Sequence, residues 1–300
     1  MIVITGATGH TGKVVAEQLL AKGEKVRVIG RDAGRLQPLV QNGAEAVVGS
    51  ADDPASIEKA FEGATAAFLM IPPTIEKPSF RAFQDQISDA YTAVITKTRV
   101  PCVVTLSSIG ADQSEKVGPV VGLHNLEQKM NKIAGLNVLH LRPAGFMENL
   151  FMSIEPLKSM GMLPGPLPGD RLMPMIATRD IGNYAAERLH ARDFSGNGVQ
   201  ELHGQRDVSM KEVATIVGNA IGKPNLGYMQ VPFMMLEPAM VQNGMSKDIA
   251  GLLIEMWKAA NSGVMKPLEP RNTKNTTPTS IEQFVNEVFA PAYLQMAAKA

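Results

Sequence analysis

Met1-Ile-Val-Ile-Thr-Gly6-Ala-Thr-Gly9-His-Thr-Gly12-Lys-Val-Val-Ala-Glu-Gln-Leu-Leu20 is the stretch from which the rest of the chain can be read. A short run of β-formers meets three glycines spaced three apart, and an amphipathic helix follows. Strand, glycine turn and helix in that order give the glycine pattern a structural setting. Gly6 turns the chain sharply off the strand. Gly9 lets the backbone approach a pyrophosphate, and Gly12 lets the helix lie close to the sheet. The anion then faces the helix N-terminus, where free N–H groups and the positive end of the dipole point. Thr8, His10 and Thr11 are placed to hydrogen-bond its oxygens.

The second strand, Lys25-Val-Arg-Val-Ile29, ends in Gly30-Arg31-Asp32. A site selective for NAD wants a carboxylate at that tip to bond the ribose 2′-hydroxyl. Gly30 instead leaves room, and Arg31 offers a fixed positive fork suited to a 2′-phosphate. The reading is NADP(H) over NAD(H). Asp32 is either the acidic residue displaced by one or the N-cap of the next helix; Arg27 and Arg35 read as surface charges.

The alternation continues. Ala44–Val48 reads as a third strand, and Asp53-Pro54 as the N-cap and first position of a helix ending near Phe61. Ala64–Met70 is a near-continuous apolar run suited to a strand buried on both faces. A helix over 79–98, a strand at Cys102–Leu106, a helix over 119–134 and a strand at Asn137–Leu141 complete the series. The pattern predicts an α/β fold: a doubly wound parallel sheet of order 3-2-1-4-5-6, with ligands at the C-terminal strand ends. Residues 1–150 form this nucleotide-binding unit. Residues 151–300 read as a smaller, mostly helical substrate-side lobe, with about 177–203 returning to the sheet. Residues 151–176, rich in Met, Pro and Gly, read as an irregular lid or pocket wall rather than core, and Asp180 as a helix cap.

Composition bounds the function. The chain has 300 residues, 45% of them hydrophobic and 19% charged, with formal net charge zero. That describes a globular protein with material for a sizeable core, and offers nothing to nucleic acid or an anionic membrane. No apolar run approaches the roughly twenty residues of a membrane helix. One cysteine, Cys102, excludes an intramolecular disulfide and fits a reduced compartment. A first strand that starts at Met1 is expected to leave no room for a signal peptide, so the expected location is cytoplasmic. One Cys and five scattered His show no metal-ligand spacing.

Reductases built on this pattern usually carry a tyrosine with a lysine four residues on, the lysine lowering the phenol pKa. The four tyrosines here, Tyr91, Tyr184, Tyr228 and Tyr293, are followed at that distance by Ile95, Arg188, Pro232 and Ala297. The dyad is absent. What stands instead is LMIPP at Leu69–Pro73, LSSIGA at Leu106–Ala111, GLHxxE at Gly122–Glu127 and LRPxxFMEN at Leu141–Asn149. Together with Thr5-Gly-Ala-Thr-Gly9 and Arg31, these motifs resemble the NmrA-like family of atypical short-chain reductases, which are Rossmann folds. The resemblance is specific over residues 1–150 and weaker in the tail, where TTPTSIEQFV at Thr276–Val285 is similar.

The resemblance implies either an NAD(P)H-dependent reductase of quinones, dyes or phenolic ethers, or a non-catalytic redox sensor acting through a protein partner. It places His124 where relatives carry the catalytic lysine and Val120 where they carry the tyrosine. Gln128 falls where relatives often have Glu, and Glu127 is one helical step, about 100°, away from that position. His124 reads either as a proton relay beside the nicotinamide ribose or as a ribose-positioning residue. Met70, Ile71, Pro72, Ser107 and Ser108 are expected along the cofactor. Ile109, Phe146, Met147, Asn149 and Met152 are expected at the substrate pocket. With Met160 and Met162 nearby they suggest an apolar, deformable pocket for a flat aromatic or quinone-like ligand. The same side chains read equally as core or subunit packing, and a homodimer stays open. A sugar-nucleotide epimerase is a further reading, disfavoured because it needs a tyrosine acid/base.

Overall fold

A computed structural model describes residues 1–297. The first unit runs β1 (Ile2–Ile4), α1 (His10–Ala21), β2 (Val26–Gly30), α2 (Ala33–Gln41), β3 (Glu45–Val48), α3 (Pro54–Phe61), β4 (Ala66–Leu69), α4 (Phe80–Thr98), β5 (Cys102–Leu106), α5 (Val120–Met130) and β6 (Asn137–Pro143). Local chemistry sets several of these boundaries. The Asp32 carboxylate accepts from the amides of Gly34 and Arg35 and caps α2, which decides between its two readings. Asp53 caps α3 in the same way, with Pro54 at the first helical position. β4 is buried along its whole length, as its apolar run requires.

Beyond Pro143 come β7 (Gly145–Phe146), a 3₁₀ turn at Met147–Ser153, α6 (Ile154–Met160), β8 (Leu163–Gly165), β9 (Met173–Ile176), α7 (Thr178–Ala191) and β10 (Asn197–Leu202). Then follow β11 (Asp207–Val208), α8 (Met210–Ala220), β12 (Tyr228–Gln230), α9 (Phe233–Gln242), α10 (Lys247–Ser262) and α11 (Ile281–Phe284). A π-helical turn at Val285–Phe289 carries α11 into α12 (Ala290–Ala297).

The main sheet has the order β10-β6-β5-β4-β1-β2-β3, all pairs parallel. The predicted 3-2-1-4-5-6 order is therefore observed, with β10 added beside β6. It is a Rossmann-like α/β fold. One face buries Val15 and Leu19 of α1, Leu36 and Leu39 of α2, and Ile181, Ala185 and Leu189 of α7. The other buries Ile57 and Phe61 of α3, Ile87, Tyr91 and Ile95 of α4, and Leu126 and Met130 of α5. Both layers follow the 3.6-residue spacing of these apolar positions.

The expectation of an irregular segment over 151–176 is corrected. This stretch supplies a helix and two strands, and Ile154, Leu157, Leu163 and Met175 join Val213, Phe284 and Phe289 in a separate apolar core. Its prolines do not prevent short strands, Pro164 lying in β8 and Pro174 in β9: β8 pairs with β12, and β9 with β7 and β11. Asp180 is also corrected. It does not cap its own helix; its buried carboxylate accepts from the amide and hydroxyl of Thr279 and pins the C-terminal segment. The first amide of α7, at Thr178, is bound instead by Glu148.

Helix α10 closes over the loop that leaves β5. Gly118 there has φ +57°, and a Cβ would collide with the Leu252 carbonyl. Asp248 accepts from the Phe80 amide at 2.7 Å, at the start of α4. Among the described residues no helix is long and apolar enough to cross a membrane. No cluster of His, Cys, Asp and Glu able to hold a metal is found among them either.

Candidate active site

The glycine turn is shaped by backbone packing. Gly6 has φ +65°, a conformation that suits glycine. The Met70 side chain lies against it so closely that any Cβ would collide with the thioether. Gly12 packs on the carbonyl group of Gly6 itself. Gly9 is exposed; a Cβ there would meet only the Gly6 carbonyl, at 3.4 Å, so the outer surface of the turn is open to a close approach. No side chain caps α1, and no acidic residue occupies its first turn. The helix end is thus left with free donors and an uncompensated positive dipole, the arrangement that receives a phosphate oxygen. Thr11 is buried at the base of the turn, whereas His10 is exposed and faces the Phe151 ring, centroids 6.2 Å apart.

At the tip of β2, a Cβ on Gly30 would lie 3.2 Å from Leu36 and 3.5 Å from the Thr8 methyl. Arg31 is exposed beside it. Arg35 departs from the surface-charge reading: its Nη2 donates to the Thr8 carbonyl at 3.0 Å and brings a second guanidinium to the glycine turn. Arg27 departs as well, its guanidinium being committed to the carbonyls of Ala60 and Glu62 and to Glu45.

The end of β4 is latched to the end of β1. Thr5 Oγ1 donates to the Phe68 carbonyl and accepts from the Met70 amide, while the Tyr91 hydroxyl donates to the Met70 carbonyl. Ile71 is buried and Pro72 half-buried. The loop after β5 is hung from β6: the Ser107 amide donates to Leu141 at 2.7 Å and the Ile109 amide to Pro143 at 3.1 Å. Ser108 Oγ is half-buried and donates to the Ile109 carbonyl.

His124 stands near the start of α5, half-buried, with Nδ1 2.8 Å from the Ala111 carbonyl. A carbonyl only accepts, so Nδ1 carries the hydrogen and Nε2 is the nitrogen left to gain a proton. Val120 is buried among Ala111, Val117 and Ala259. Glu127 points inward, 2% exposed, and Gln128 outward. One carboxylate oxygen of Glu127 accepts from Ser107 Oγ at 2.5 Å and from Arg142 Nε at 3.0 Å. The other meets Arg142 Nη2 at 2.5 Å. The 100° step between the two positions therefore places Glu127, not Gln128, against the sheet. This charged cluster was missed in the sequence; its signal was an acid and a strand arginine in otherwise apolar segments.

The residues expected at a substrate pocket separate. Ile109 is buried in the core under the sheet and Met147, 2% exposed, in the separate apolar core. Phe146 is half-buried; Asn149 is exposed and Met152 is 60% exposed. Among these five, open surface for a ligand is offered by Phe146, Asn149 and Met152.

The tyrosines are engaged elsewhere. Tyr91 is wholly buried, and burial pushes its phenol far up. Tyr228 donates to the Leu167 carbonyl, Tyr184 to Gln200, and Tyr293 lies in the separate apolar core. None of them supplies the acid/base group of the usual dyad.

A family model described as the NmrA-like family matches residues 1–285. An NAD(P)H azoreductase from Xenophilus azovorans is 25% identical over 265 residues, 87% of each chain. Among solved structures, an NADPH-dependent quinone oxidoreductase from Escherichia coli complexed with NADPH is similar with TM-score 0.77 at 22% identity, covering 96% of this chain and 100% of that one. The Citrobacter sp. triphenylmethane reductase complexed with NADP(H) gives TM-score 0.78 at 19% identity, covering 96% and 99%. The structural likenesses show a shared fold.

Proposed function

We propose that this chain, which belongs to the NmrA-like family, is an NADPH-dependent reductase of a conjugated, mostly apolar acceptor such as a quinone or a dye. The observation that carries the reading is the open glycine turn over an uncapped α1, flanked by Arg31 and Arg35 where an NAD site would hold an acid. Support comes also from relatives whose names describe reductases of azo compounds, quinones and triphenylmethane dyes.

Bound NADPH would supply the hydride. The amides at the start of α1, with Thr8, His10 and Thr11, would receive the pyrophosphate. Gly30 leaves space for the adenosine ribose, and Arg31 with Arg35 would hold its 2′-phosphate through charge-assisted bonds. Met70, Ile71 and Pro72 follow β4, and Ser107 and Ser108 follow β5, at the crevice where the nicotinamide would lie. His124, with Nδ1 tied to Ala111, would take up a proton from water on Nε2 and pass it to the acceptor oxygen as the hydride arrives. Phe146, Asn149 and Met152 would border the acceptor, with Ile109 and Met147 packed behind them. A quinone draws the hydride by its own electron affinity, so one imidazole and good orientation replace the missing dyad.

The engagement of all four tyrosines disfavours the epimerase reading. The remaining rival is a sensor that binds the same nucleotide without turnover. Such a sensor needs markedly different affinities for NADPH and NADP, because only differential binding shifts a conformational equilibrium. Calorimetric titration of NADPH, NADP, NADH and NAD, followed by NADPH oxidation with a benzoquinone, an azo dye and a triphenylmethane dye, tests both. Tight NADPH binding with turnover supports the reductase. Tight binding with no turnover and a large NADPH–NADP gap supports the sensor, and no binding of any nucleotide removes both.

A further inference from the structure

We infer that Glu127 is the positioning residue of this site, holding helix α5 and the loop after β5 in the one relative placement that orients His124. This rests on the reductase reading for its consequence in turnover, though not for its geometry. His124, Glu127 and Asn131 are spaced three and four residues apart, so they lie along one side of α5, the side turned to the sheet. Each makes a polar contact there. His124 Nδ1–H donates to Ala111, Glu127 binds Ser107 and Arg142, and Asn131 Oδ1 accepts from His140 Nε2 at 3.0 Å. An apolar helix face can slide or roll by a fraction of a turn at small cost. A face held by directional bonds has one register.

Glu127 is the central member and joins three elements at once. Arg142 belongs to β6, Ser107 begins the loop, and Glu127 is one turn along the helix from His124. The acceptor of the imidazole, the Ala111 carbonyl, sits four residues beyond Ser107 on that same loop. The direction of Nε2 is therefore set by two bodies, helix and loop, and the Glu127 carboxylate is bonded to the loop and rooted in the helix. Arg142 in turn lies opposite Glu201 of β10 in register, whose carboxylate is itself bonded to His203 and to the Leu268 and Glu269 amides. Such a buried pair is weak evidence for stability, since apolar residues of equal volume often do as well. What the pair supplies is geometry, and a misplacement of about 1 Å can cost on the order of a hundredfold in rate.

The test compares wild type with Glu127→Gln and with the double variant Glu127→Leu/Arg142→Met, which leaves no unpaired buried charge. Thermal melting, NADPH affinity, kcat with a benzoquinone, and nitrogen NMR of the His124 ring are measured. The expected result is a folded double variant with NADPH affinity within about threefold of wild type and kcat reduced by roughly ten- to a hundredfold. Its imidazole, a single Nδ1–H tautomer in wild type, averages between tautomers. A folded double variant with wild-type kcat and an unchanged ring spectrum overturns the inference. If Glu127→Gln does not fold, the double variant carries the test. If wild type binds NADPH but turns over no acceptor, the reductase reading fails alone, and the ring spectrum still decides the positioning role.

Discussion

A Cβ built on Gly12 would lie 2.7 Å from the carbonyl carbon of Gly6, closer than real side chains come to backbone. Gly12 cannot gain a methyl group without moving β1 or α1, whereas one on Gly6, at φ +65°, would run into the Met70 thioether. Gly12→Ala is therefore expected to destabilise the protein by about 1–3 kcal/mol, the usual range for overpacking, and to weaken NADPH at least tenfold. Denaturant unfolding and calorimetry would check it; a variant with unchanged stability and affinity would show that the turn is slack.

Nucleotide choice should reside in the two guanidiniums beside Gly30. Arg31→Ala and Arg35→Ala are each expected to raise the NADPH Kd by roughly tenfold or more, one charge-assisted hydrogen bond being worth about 1.5–3 kcal/mol. The NADH Kd should move little, because it has no 2′-phosphate. Equal losses for both nucleotides would locate these arginines at the pyrophosphate instead.

His140 gives the fold a defined acid sensitivity. Its Nδ1 accepts from Thr105 Oγ1 and its Nε2 donates to Asn131, so the buried ring is neutral. Burial holds its pKa down at about 4, Glu127 pulling up and Arg142 pushing down more weakly. The unfolded chain takes up this proton near pH 6.5 and the folded chain only near pH 4. Stability from this group is thus complete above pH 6.5 and is lost as pH falls to about 4, by as much as about 3 kcal/mol. Buried carboxylates such as Glu201 add losses of the same sign, so the comparison is with His140→Asn. That variant should show a shallower fall in unfolding free energy between pH 6.5 and 4; parallel curves would contradict the assignment.

Cys102 should be inert in the folded protein. It is 6% exposed, and burial pushes its thiol up to about 11 despite the opposing charge of Arg192. A disulfide reagent at pH 8 is expected to label it at least a hundredfold more slowly in native protein than in denaturant, as an order-of-magnitude expectation from its thiolate fraction and burial. Rapid stoichiometric labelling of folded protein would refute this.

Much of this molecule was legible in its sequence because the relevant physics is local. Alternating and continuous apolar runs mark the strands, Asp53-Pro54 marks a helix start, and the βα alternation with its handedness leads to the 3-2-1-4-5-6 order. The glycine turn and the missing Tyr/Lys pair were equally readable. Tertiary structure decided what depends on partners distant in the chain. Arg35 reaches back to Thr8, Asp180 binds Thr279 instead of capping a helix, and residues 151–176 find a core only when α8, α11 and the π-helical turn pack on them. The spacing of Val120, Leu126 and Met130 turns position 127, not 128, to the sheet, but a helix period does not say what a buried acid would meet there. Arg142 and Ser107, distant in the chain, supply the donors that satisfy it.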